Sequence, residues 1–148
     1  MLYKYVLMLH VVSATVWTGG HLVLAITILP KALRERSVDV IRQFEMGYER
    51  IGIPALIIQV LSGFWLAYRL VPDVSQWVLC ENVITQLITI KIGLLLLTMG
   101  LALDARLRII PNLHEGNLKS LAYHIVPVTI VSVLFIIIGV AFRTGGLF

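Results

Sequence analysis

The chain has 148 residues, 59% of them hydrophobic and only 14% charged, with a formal net charge of +4. A soluble domain carries about a quarter charged residues, so this composition excludes one and points to a polytopic membrane protein. The Lys and Arg residues sit at span ends, where they set topology, which removes nucleic acid as the reason for the basic balance. Cys80 is the only cysteine, which excludes an intramolecular disulfide, a CxxC redox pair and a thiolate metal cluster within one chain.

Crossing a hydrocarbon core takes about 20 apolar residues. Four stretches qualify: residues 5–29, 51–71, 83–103 and 121–142. The expected fold is therefore all-α, an integral membrane four-helix bundle, with residues 1–148 forming a single four-span transmembrane domain and no soluble catalytic module. The first stretch is longer than the apolar region of a signal peptide and lacks a small-residue cleavage pattern, so it is expected to be retained.

In LHVVSATVWTGGHLVL, within the first span, His10, Ala14, Trp17 and His21 fall at i, i+4, i+7 and i+11 and share one helix face. The two imidazoles lie about 16 Å apart along the axis. Ionisable residues inside a bilayer are costly and normally face a bundle interior, which makes the stripe a candidate metal or haem site.

Pro30 is expected to end the first span. From Ser37 to Arg50 the apolar positions Val38, Ile41, Phe44 and Tyr48 predict an amphipathic extension of the second helix near the interface. Pro54 should kink that helix, and Tyr48, Gly52, Ala55, Gln59 and Ser62 mark its inward face. The segment VPDVSQWVLCEN predicts a turn, with Trp77 as an interfacial anchor. In the third span Gln86, Gly93, Gly100 and Asp104 share a face that a neighbouring helix can approach closely, while Lys91 lies on a different face with Thr98. The fourth span carries His124, Pro127, Phe135, Gly139 and Phe142.

Eight cations, Lys31, Arg34, Arg36, Arg42, Arg50, Arg106, Arg108 and Lys119, lie in the two connections on one side. Lys4, Arg69 and Arg143 lie on the other. The positive-inside bias then puts both termini and the 72–82 loop outside the cytoplasm, as in a bacterial inner-membrane protein.

Depth follows from position along each span. His21 falls about 7 Å and His124 about 12 Å to the cytoplasmic side of the bilayer centre. His10 falls about 9 Å and Lys91 about 5 Å to the outer side. A six-coordinate b-type haem needs two axial ligands from facing helices, and His21 with His124 meets that requirement on depth. Ala14, Gly19 and Gly20 supply space and Trp17 a wall. An intramembrane histidine is also a good polar partner between helices, which is the competing reading for each. Lys91 is too deep to snorkel easily and needs a partner or an anionic ligand such as a haem propionate. His114, in PNLHEGN, is simplest as a solvated loop residue. Copper uses the same imidazoles, but Met8, Met99 and Cys80 do not cluster as soft copper ligands should.

LHVVSATVWTGGHLVL resembles the membrane domain of CopD-type copper resistance proteins, and the resemblance continues through ILPKAL, YERIGIPA, TIKIGLLLL and HIVPVTIVSVLF. In the same order these segments also resemble HemJ-type protoporphyrinogen oxidases, small four-helix membrane proteins associated with b haem. Both resemblances imply roles for His10 and Lys91. The chain departs from the HemJ pattern where ILPKAL runs into LRERS without a histidine, and where His124 and Ile125 replace an Asn-Glu pair. His21 beside Gly19 and Gly20 is closer to the CopD form.

The expectation is thus a haem b protein with a redox or haem-linked role, its cofactor held by His21, His124, His10, Lys91 and Trp17, with the three histidines as iron ligands. The alternatives are a CopD-type copper-binding or copper-transport protein holding copper on the same histidines, and a protoporphyrinogen-oxidising enzyme. The expected partners are the lipid bilayer, with room for a redox partner or small-molecule substrate and for a second copy of the chain, and no nucleic acid.

Overall fold

A computed structural model describes residues 1–146 and is all-helical. The helices are α1 (Leu2–Val23), α2 (Leu29–Glu35), α3 (Val38–Leu70), α4 (Val83–Asp104) and α5 (Leu118–Thr144). Four continuous helical stretches are long and apolar enough to cross a membrane: Leu2–Glu35, Val38–Leu70, Val83–Asn112 and Glu115–Thr144. Helices satisfy their own backbone groups, so they tolerate a medium with no water to bond to. Their outer faces are strongly apolar, with Ile26, Leu61 and Leu96 each more than 60% exposed. A surface of that kind is stable against lipid and unstable against water.

Two helical runs continue past the points where sequence suggested a stop. Pro30 does not end the first one: a π-helical turn, Leu24–Ile28, leads into α2, and Pro30 follows directly on that turn, where the regular hydrogen-bond ladder is already interrupted. A matching π turn, Ala105–Ile109, extends α4 toward Asn112. The segment before the second span is indeed helical and continuous with α3, which also runs through Pro54. Its apolar side packs into protein rather than against the interface. Ile41 is completely buried in a cluster with Leu29, Ala32, Leu113, Leu121 and Ile125, which closes the basic end of the bundle. Burying one such side chain stabilises this end by roughly 1.5–3 kcal/mol.

The closely packed pairs are α3 with α1, α1 with α5, and α5 with α4, giving an arc in that order. Hydrogen bonds fix its register. Thr18 Oγ1 donates to the Ser132 carbonyl at 3.2 Å, and Thr129 Oγ1, which donates to the Ile125 carbonyl at 2.8 Å, lies 3.2 Å from the His21 carbonyl. Tyr48 on α3 donates to the Trp17 carbonyl at 3.0 Å. Its ring lies between Gly20 and Gly52, so both glycines are needed for α1 and α3 to come together here. Gly93 and Gly100 behave differently: both are exposed with nothing near their Cα atoms, so no helix of this chain uses them for close approach.

At the other end, Asp73 caps the turn Val74–Val78, accepting from the Ser75 amide and hydroxyl. Asn82 and Thr85 form a reciprocal capping box that starts α4. Trp77 is turned inward instead of anchoring at the interface. It is buried, stacks on Phe64 at 6.1 Å and donates its indole N–H to the Val71 carbonyl at 2.8 Å.

Candidate functional site

All four spanning helices line one cavity of about 510 Å³. It begins at Tyr3, Trp77 and Arg143, at the end away from the eight loop cations, and ends at Trp17. The stretch of α1 from Tyr3 to Trp17 makes it about 21 Å long. His10 lies half-way down, facing α3. Its Nδ1 is 2.9 Å from Ser62 Oγ. The only Ser62 hydroxyl proton is donated to the Ile58 carbonyl at 2.6 Å, so the serine oxygen accepts and His10 Nδ1 carries the hydrogen. The ring rests directly on Gly63, where a Cβ would come within 3.1 Å of it. Ser62 and Gly63, adjacent in sequence, thus set the tautomer and the position of one imidazole.

Lys91 enters the same cavity from α4. Its Nζ sits against Gly139 of α5 and lies 5.3 Å from the centre of the Phe142 ring. Lys91 and His10 line the same cavity, as their similar depths suggested. Gln59 completes the wall between them and is 8% exposed, with its side-chain oxygen buried and unpartnered. An unsatisfied buried acceptor of this kind costs about 1–3 kcal/mol. Such a cost is retained where something other than the protein occupies the site.

Trp17 separates this cavity from His21. The Trp17 and His21 rings are 4.2 Å apart, and Tyr48 meets His21 edge-on at 5.9 Å. His21 Nδ1 donates to the Trp17 carbonyl at 2.9 Å, so His21, like His10, has its tautomer fixed with Nε2 left as the lone-pair nitrogen. Ala14 lines the cavity on the same face.

His124 is elsewhere. Its Nδ1 donates to the Ser120 carbonyl at 2.9 Å and its Nε2 is 2.6 Å from an Asp104 carboxylate oxygen. Asp104 is also bound by Arg108 at 2.7 Å. Both His124 nitrogens are engaged, and the bundle register places His21 level with Thr129, more than a helical turn from His124. The His21–His124 axial pair expected for haem is therefore not built. His10 is the one histidine lining the cavity among the described residues, so no second imidazole faces it there. The donors present do not fit a two-histidine haem. His114 is a loop residue whose Nδ1 donates to the Asn112 carbonyl.

Sequence reasoning missed two parts of this arrangement. Arg143 counted only as a topology charge, yet it stands at the cavity mouth one turn beyond Gly139. Asp104 was placed on a helix-packing face, and its spacing of twenty from His124 across a loop was the available signal for the pair.

The sequence model of the family described as copper resistance protein D, CopD, matches residues 42–142. The chain belongs to the CopD family. It is thus a copper-resistance-related, multi-pass membrane protein. No curated protein and no solved structure matches it. The CopD match takes in Gln59, Ser62, Gly63, Lys91 and Gly139, and begins after α1, so His10 and His21 are contributed by a helix outside it. Among the described residues there is no group of three or more His, Cys, Asp or Glu that could hold a metal ion. Met8 and Met99 are at least half exposed on the outer surface of the CopD bundle and add no thioether to the cavity.

Proposed function

We propose that the chain holds copper transiently and passes it across the membrane, without catalysing a reaction. The observation that carries this reading is the His10 imidazole, held by Ser62 and lining the cavity half-way along α1. A metal-binding histidine ordinarily has its other nitrogen oriented by a hydrogen bond, and Ser62 supplies that here. His21 has the same arrangement on the far side of Trp17. Two single-imidazole stations about 16 Å apart bind more weakly than a closed site of three or four ligands. Passage requires weak, serial binding of that sort.

Trp17 is the barrier between the stations. It is 9% exposed and forms the floor of the cavity, so copper moves from His10 to His21 only when its indole shifts. The loop charges orient the path, with the cavity opening outside a bacterial inner membrane and both termini on that side. The residues at 1–148 act as one four-span unit in this account.

Competition with a weakly binding chromophoric Cu(I) ligand, matched to single-imidazole affinity, tests the reading in purified protein. Wild type should withdraw copper from that ligand, His10→Ala should lose the station in the cavity, and His124→Ala should behave as wild type. A wild-type protein that takes no copper from that ligand would reject the proposal.

A further inference from the structure

The cavity contains more than a copper station needs. Lys91 and Arg143 both line it, and among the described residues no acidic side chain does and neither cation is in a salt bridge. The Lys91 ammonium lies over the Phe142 ring and has no hydrogen bond among the described residues. A cation in an apolar wall without a carboxylate is stabilised by an anion from outside the protein. Gln59 lines the cavity beside the two cations, 8% exposed, and its buried oxygen has no hydrogen-bond partner among the described residues.

Below that polar level the cavity is apolar. It continues past Leu95 and Phe135 to Trp17, about 10 Å deeper than His10. Gly139 keeps the space open beside Lys91, since any larger side chain would enter it within van der Waals distance of Nζ. Charge at the outer half and apolar walls below it describe an amphiphile with its head outward.

We propose that the cavity binds a single-chain amphiphile with an acidic head group, either a carboxylate or a phosphate monoester. The head rests between Lys91 and Arg143, and the chain extends toward Trp17. The proposal stands on the cavity and its unpaired groups and not on copper, so loss of copper binding would leave it untouched.

Native mass spectrometry of the full chain, released from detergent, counts bound ligand directly. Laurate, dodecyl phosphate and dodecanol are the probes, matched in chain and different in head. The expected result is a saturable one-to-one adduct with at least one of the acids and none with the alcohol. Lys91→Met should weaken the acid adduct about tenfold or more, the loss expected for a charge-assisted contact, and Lys91→Arg should restore it. Arg143→Gln, at the exposed mouth, provides a second variant that leaves the packed core alone and should weaken the adduct. Dodecanol bound as well as the acids, or acid binding unchanged in both Lys91→Met and Arg143→Gln, would overturn the proposal. Preference for laurate or for dodecyl phosphate decides which head the site takes.

Discussion

His10 Nδ1 meets the Ser62 hydroxyl at 2.9 Å, and the serine proton is already committed to the Ile58 carbonyl one turn back along α3. The hydroxyl is therefore an oriented acceptor, and it determines which imidazole nitrogen faces the cavity. Ser62→Ala removes that control while leaving His10 in place. Copper affinity at this station should fall about 10–100-fold, the usual effect of losing a hydrogen bond to a ligating histidine. Ser62→Thr should retain most of it. A chelator competition series on the two variants checks the ordering.

Gly20 and Gly52 admit the Tyr48 ring, whose hydroxyl bonds to the Trp17 carbonyl. Gly20→Ala puts a methyl group where the ring lies, and Gly52 blocks retreat because a Cβ there would already be 2.7 Å from the same ring. The tyrosine must leave, and α1 loses an anchor to α3. Overpacking of this kind costs about 1–3 kcal/mol, so thermal unfolding in detergent should shift to lower temperature. Gly19→Ala, at a position with open space, is the control and should unfold as wild type.

The His124–Asp104 pair ties α5 to the end of α4, with the Asp104 carboxylate 37% exposed. Asp104→Asn should lower the unfolding temperature only slightly, as expected of a solvent-screened ion pair, and leave copper binding unchanged. His124→Ala should do the same. Loss of metal from either variant would restore His124 to the site and weaken the distinction between a structural and a ligating histidine drawn here.

Asp73 titrates in the loop. Hydrogen bonds from the Ser75 hydroxyl and amide hold its carboxyl below the ordinary carboxylate range. A lowered value means that the stabilisation is present at neutral pH and is lost as pH falls through the folded-state value. The protection of the Val74–Val78 amides, taken relative to their intrinsic exchange rate at each pH, should hold at neutral pH and fall in acid. In Asp73→Asn, the protection should lose that pH dependence.

Cys80 tests orientation. It is exposed in the loop that the positive-inside bias places outside the cytoplasm. A membrane-impermeant thiol reagent should label it once the outer barrier is opened and the inner membrane is intact. Labelling that requires inner-membrane lysis would reverse the topology.

Spans and their inward faces were legible because lipid imposes a simple rule on composition, and Gly52, Ala55, Gln59 and Ser62 are all buried as their spacing suggested. Depth was legible too, since rise per residue is nearly constant, and it brought Lys91 and His10 to one level. Direction around each helix was not. His21 and His124 were paired on depth alone, while in the bundle His21 packs against Trp17 and Tyr48 and His124 turns to Asp104. Sequence periodicity identifies a face but not the neighbour it meets. For the same reason Trp77 could be placed in a turn but not known to fold inward over Phe64.

The central claim is that copper crosses this bundle by way of His10 and His21. The most direct measurement is copper entry into liposomes containing the purified full chain and a trapped copper-sensitive dye. Wild-type protein should carry copper across, and His10→Ala and His21→Ala should each reduce entry to the level of liposomes without protein. His124→Ala should transport normally. Entry at the wild-type rate in the His10→Ala protein would contradict the account.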